Sequence, residues 1–147
     1  MRFEPLAWGL PSMRRMESSP IQSYRDLDAW QLGMQLVEQV YRLTRQLPSN
    51  ETYGLAAQLR RTAVGIPSNV AEGQQYGFGR NYARFVSIAL GCEAELQTQL
   101  EVVKRLGLAK GEHVQPVLDL ASRTGQVLRG LKRTIVRGAP RSAHEEK

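Results

Sequence analysis

A chain of 147 residues, 41% apolar and 23% charged, has the length of one domain and an ordinary globular composition with enough apolar residues for a real core. No apolar run approaches the roughly 18 residues of a membrane span, and the first residues lack the order of a secretory signal, so a cytoplasmic location without a membrane partner is expected. The single cysteine, Cys92, excludes an intrachain disulfide and any cysteine-pair zinc site.

Residues 1–22 hold Pro5, Gly9, Pro11 and Pro20 without a period and read as a flexible N-terminal extension, in which Met13 and Met16 offer alternative starts. Asp28 and Gln31 are spaced as a capping box, with Leu27 and Leu32 placed as a hydrophobic staple, and announce the first helix. Trp30, Met34, Val37, Tyr41 and Thr44 form a stripe beside Leu36, Val40, Leu43 and Leu47, and Pro48 stops it. A face that wide expects more than one neighbour. Ser49 or Asn50 is placed to cap a second helix.

Leu59, Ala63, Ile66 and Val70 give that helix a buried face, yet Pro67 has no N–H to donate and its ring crowds the carbonyl of Ala63. A kink or restart is expected there. Asn69 is expected to satisfy backbone groups the proline frees, or with Glu72 to form part of a binding edge. The segment 73–79, with three glycines, reads as the loop that follows.

The third helix carries Tyr82, Phe85, Ala89, Cys92, Leu96, Leu100 and Val103 on one side, and Gly107 with Gly111 marks its break. The fourth repeats the period through Val114, Val117, Leu118, Ala121, Leu128, Leu131 and Ile135. Four helices of about 20 residues, each roughly 30 Å long and joined by short connections, predict an all-α antiparallel up-down bundle. Its expected extent is 23–137, followed by a flexible basic tail over 138–147.

Positive charge is concentrated at the end. Residues 23–122 hold ten basic and ten acidic side chains, whereas residues 123–147 hold seven basic and two acidic, so most of the net +6 lies there. Arg123, Arg129, Lys132, Arg133, Arg137 and Arg141 follow one another without an intervening acid. Cations near a helix C-terminus are favoured on stability grounds alone, and a charged helix face is often simply solvated. The functional reading is a basic C-terminal surface that docks RNA, DNA or a nucleic-acid-processing partner, contacting phosphate without strong sequence specificity and made multivalent by self-assembly. A structural or protein-interaction scaffold that binds no nucleic acid is the alternative.

Arg60, Arg61, Asn69, Glu72, Glu93 and Glu95 are candidates for a network between helices or subunits, where such groups fix register more than they add stability. Tyr76 and Tyr82 near Arg80 and Arg84 are a weak stacking signal, with packing favoured for Tyr82. Catalysis finds little footing. Neither His113 nor His144 follows a glutamate by three residues, Cys92 sits in an apolar stripe, and no Walker loop occurs, so neither an enzyme nor a cofactor is expected.

The segment QLRRTAVGIPSNVAEG from Gln58 to Gly73, with YRDLDAWQLGMQLVEQVYRLT before it and ARFVSIALGCEAELQTQL after it, resembles a known bacterial family. These are the small four-helix bundle proteins encoded in intervening sequences of 23S ribosomal RNA genes, and the likeness runs over residues 23–108. It implies a homopentameric ring and a role in nucleic-acid biology without established catalysis. A more distant likeness to the accessory subunit of diversity-generating retroelements implies a basic ring that works with a reverse transcriptase. Thr62 and Gly65 depart from the family pattern, standing where alanine and serine are usual.

Overall fold

The computed structural model describes residues 23–138. The expected N-terminal extension, and the expected basic tail beyond Gly138 with Arg141 in it, lie outside the described residues. Four α-helices follow one another: α1 (Asp28–Thr44), α2 (Leu55–Gln75), α3 (Arg80–Arg105) and α4 (Gly111–Gly138). No strand occurs among the described residues.

Side-chain pairs fix how the helices run. Gly33 meets Pro67 while Arg60 reaches back to Thr44, so α1 and α2 are antiparallel. Gly73 meets Phe85 and Thr62 meets Gln99, which makes α2 and α3 antiparallel, and the pairs Glu93 with Gly125 and Lys104 with Gln115 do the same for α3 and α4. Because α4 also packs on α1, the ring of neighbours closes into an up-down bundle. One end therefore gathers the start of α1, the α2–α3 turn and the end of α4.

Leu36, Leu43, Leu59, Ile66, Leu96, Leu100, Leu128 and Ile135 are the largest fully buried side chains, with every helix contributing two. Each such burial is worth roughly 1.5–3 kcal/mol, so this one core positions everything on the surface. The broad α1 face divides: Leu32, Leu36, Val40 and Leu43 enter the core, while Met34 and Tyr41 stay exposed.

Several local expectations are corrected. The capping box forms one turn earlier, where Ser23 Oγ accepts from Arg25 N at 3.0 Å and Asp26 Oδ2 accepts from Ser23 N at 3.0 Å. Leu27 is the N-cap of α1, without a side-chain hydrogen bond, and Asp28 is already helical. Ser49 and Asn50 do not cap α2. They lie in a 3-10 turn, Ser49–Glu51, and the α2 N-terminus follows Gly54, with Glu51 Oε2 accepting weakly from Leu55 N at 3.4 Å.

Helix α2 does not restart at Pro67 but continues to Gln75. The proline is buried against α1, where a Cβ on Gly33 would lie 3.3 Å from its Cβ and Cδ. Tertiary packing of the ring thus offsets the lost hydrogen bond. Asn69 Nδ2 donates to the Gly65 carbonyl at 2.6 Å, not to the Ala63 carbonyl that the proline leaves without its usual donor.

Gly73, expected in the loop, is helical and buried. Its missing side chain lets α3 approach: a Cβ there would stand 2.8 Å from Phe85 Cβ and 3.0 Å from the Tyr82 ring. The turn itself is carried by Gly77 and Gly79, whose φ values of 73° and 128° suit glycine. Gly107, at φ 63°, ends α3 as expected, with Leu108 N donating to Val103 O at 3.0 Å and Gly107 N to Lys104 O at 3.2 Å, a Schellman pair.

Candidate nucleic-acid interface

The basic residues of the last helix do not share one environment. With α4 unbroken to Gly138, the spacing of four from Arg129 to Arg133 to Arg137 aligns these three along one face, and all three are exposed. Arg123 and Lys132 are half-buried, and Lys132 falls on a different side of the helix.

No carboxylate among the described residues lies within 4 Å of Arg129, Arg133 or Arg137. Each like-charged pair four apart costs a helix about 0.2–0.5 kcal/mol. The negative helix end offsets this repulsion most within the last turn, where Arg137 stands. Such a row supplies guanidinium forks to an anion whose charges repeat along a line.

The charge of Arg129 also acts on a buried acid. On α3, Glu93 is only 4% exposed, and its carboxyl group occupies the space above Gly125. Burial pushes the Glu93 carboxyl above the usual carboxylate range, while a hydrogen bond from Gln97 Nε2 and the charge of Arg129 pull the other way. A buried acid beneath the basic row was not distinguishable in sequence from its exposed neighbour Glu95.

The other internal candidates are dispersed. Arg60 bridges α1 and α2, its guanidinium 4.7 Å from the Tyr41 ring centroid and its Nε donating to Thr44 Oγ1 at 2.8 Å. Glu95 accepts from Gln99 Nε2 at 3.3 Å, and the same amide donates to Thr62 Oγ1 at 3.1 Å, which ties α3 to α2. Arg61 and Glu72 are exposed, and Asn69 bonds within its own helix. The structure therefore places Glu93 within the electrostatic reach of Arg129 without an ion pair, and does not join the six internal residues into one network.

Cys92 is half-buried, with its Sγ beside Gly65. Among the described residues no group of three or more His, Cys, Asp or Glu is arranged to hold a metal ion, and no helix is long and apolar enough to cross a membrane.

A family model for the 23S rRNA-intervening sequence protein matches residues 25–130. The chain belongs to this family. The matched span takes in α1 to α3 and α4 as far as Gly130, so Arg133 and Arg137 lie just beyond it. A crystal structure of a protein of unknown function from the S23 ribosomal protein family of Bacteroides thetaiotaomicron superposes with a TM-score of 0.67. It is 17% identical, and the alignment covers 72% of this chain and 96% of that one. At this identity the likeness shows the shared fold alone. No curated protein matches the sequence.

Proposed function

We propose that this chain is a non-catalytic bundle that binds the phosphate backbone of RNA through the exposed face of α4. The observation that carries the reading is the row Arg129, Arg133 and Arg137, kept at helical spacing with no carboxylate within 4 Å among the described residues. Membership of a family named for ribosomal RNA intervening sequences supports RNA as the polyanion.

The mechanism is electrostatic. The core holds α4 rigid, the arginines engage successive phosphates, and released counterions supply much of the binding free energy. Self-assembly into the homopentameric ring implied by the family resemblance would repeat the row five times on one particle, raising avidity without new contacts. Exposed apolar side chains on several helices, among them Val64, Ile88 and Val102, are available to a second copy of the chain.

The test is equilibrium binding of a labelled structured RNA to wild type and to the R133Q/R137Q double variant. Arg129 is left in place because its charge acts on buried Glu93. Weaker binding by the variant, at unchanged helicity and oligomeric mass, is the expected result. Equal affinity would remove α4 as the site.

A further inference from the structure

The α2–α3 turn places exposed aromatic rings at the same end of the bundle as the basic row. Tyr76 stacks on Phe85 with ring centroids 5.4 Å apart and planes within 9° of parallel, yet Tyr76 remains 56% exposed. Phe78, between Gly77 and Gly79, is 68% exposed. Tyr82, by contrast, is buried in the core and is no candidate platform.

Arginines follow these rings at the start of α3. Arg80 and Arg84 on the first turns of α3 are exposed, and the Arg84 guanidinium lies 5.8 Å from the Phe85 ring centroid. The antiparallel register set by Glu93 with Gly125 and by Lys104 with Gln115 brings this start of α3 level with Arg133 and Arg137 at the end of α4. Among the described residues, the exposed carboxylates of the same end are Asp26 and Asp28, just before and at the start of α1, and Glu72 in the last turn of α2. Among the described residues the α3–α4 side is therefore the positive one.

Exposed aromatic faces beside arginines suit a strand that offers both unpaired bases and phosphates, since any base has a π-face to stack and each linkage carries a charge. A duplex hides its base faces and has no use for such rings. We propose that Tyr76 and Phe78 form a stacking platform for unpaired bases of a single-stranded RNA, with Arg80, Arg84, Arg133 and Arg137 holding the flanking phosphates. This inference rests on the phosphate-binding reading of α4 and names the form of nucleic acid it takes.

The experiment compares a labelled oligouridine, the oligodeoxyuridine of equal length, and a blunt RNA duplex of equal phosphate number. Each is titrated with wild type, F78A, Y76A/F78A and R133Q/R137Q. The expected result is a loss of roughly ten-fold or more in oligouridine affinity for Y76A/F78A, with duplex affinity and salt dependence unchanged.

F78A, which removes an exposed ring, should lose part of that affinity even if Y76A disturbs Phe85. The oligodeoxyuridine should follow the oligouridine within a few-fold, because stacking does not read the 2′-hydroxyl; a large gap between them would replace stacking with sugar recognition. Unchanged oligouridine binding by both aromatic variants would overturn the platform while leaving the α4 reading intact. No binding of any probe by wild type would overturn both, and would assign the aromatic turn to a protein partner.

Discussion

The carboxyl group of Glu93 on α3 fills the space that a side chain on Gly125 of α4 would need: an added Cβ would stand 2.8 Å from Glu93 Cδ and Oε2. Helix contact and buried charge are thereby coupled. Gly125→Ala should destabilise the bundle by about 1–3 kcal/mol in chemical denaturation, because the buried carboxyl group has to move. In an E93A background the same change should become neutral or stabilising by up to ~1 kcal/mol, the helix-propensity gain of alanine over glycine. A cycle without this change of sign would contradict the packing described.

Glu93 also sets a pH dependence. Its folded pKa is raised, mainly by burial, so between its unfolded and folded values the native state binds more protons than the unfolded state. This contribution to stability is fully present below the unfolded pKa and is lost as pH rises through the folded pKa. E93Q, which keeps the shape without the charge, should therefore gain on wild type as pH rises across that window and hold the gain at neutral pH. Parallel stability curves for the two proteins would show that the carboxyl group is not desolvated.

Arg129 opposes that shift, so its removal should be felt in the fold as well as at the surface. R129Q should lower the neutral-pH melting temperature more in wild type than in an E93Q background. Equal losses in both would separate Arg129 from Glu93.

The thiol of Cys92 is pushed up by burial first and by the charge of Glu95 second, against a weaker backbone hydrogen bond. Less thiolate at a given pH means slower alkylation than for an unhindered cysteine. Iodoacetamide labelling at pH 8 should be slow in the native protein and faster in E95Q. A rate unaffected by E95Q would show that Glu95 does not act on the thiol.

Between α1 and α2, Arg60 lies over the Tyr41 ring and donates to Thr44. A double-mutant cycle of R60A with Y41A should give a coupling of about 0.5–1 kcal/mol, in the range of exposed cation–π pairs. Zero coupling would mean that the pair contributes only its separate packing.

Much of this architecture is legible in the sequence because it rests on local periodicity. The leucine and valine stripes of α1 to α4 and the glycine end at Gly107 follow from period and backbone chemistry alone, whereas α1 ends at Thr44, a turn before the expected stop at Pro48. What the sequence hides depends on the neighbouring helix. Gly73 looks like a loop residue until Phe85 is seen packed over it, and Pro67 looks like a break until Gly33 of α1 accepts its ring. Glu93 and Gln99 occupy core positions although they are polar: Glu93 accepts from Gln97 of its own helix and feels the charge of Arg129 on α4, and Gln99 reaches Thr62 of α2. The basic row needed only the spacing of four, whereas its level with Arg80 and Arg84 required the α3–α4 register.

Salt dependence tests the central claim most directly. Wild-type binding to a structured RNA across a salt series should give log K falling linearly with log salt, and R133Q/R137Q should flatten the slope by roughly 1.4–1.8, two phosphate contacts at about 0.7–0.9 each. Absence of binding at low salt, or an identical slope for the variant, would contradict phosphate recognition by the α4 face.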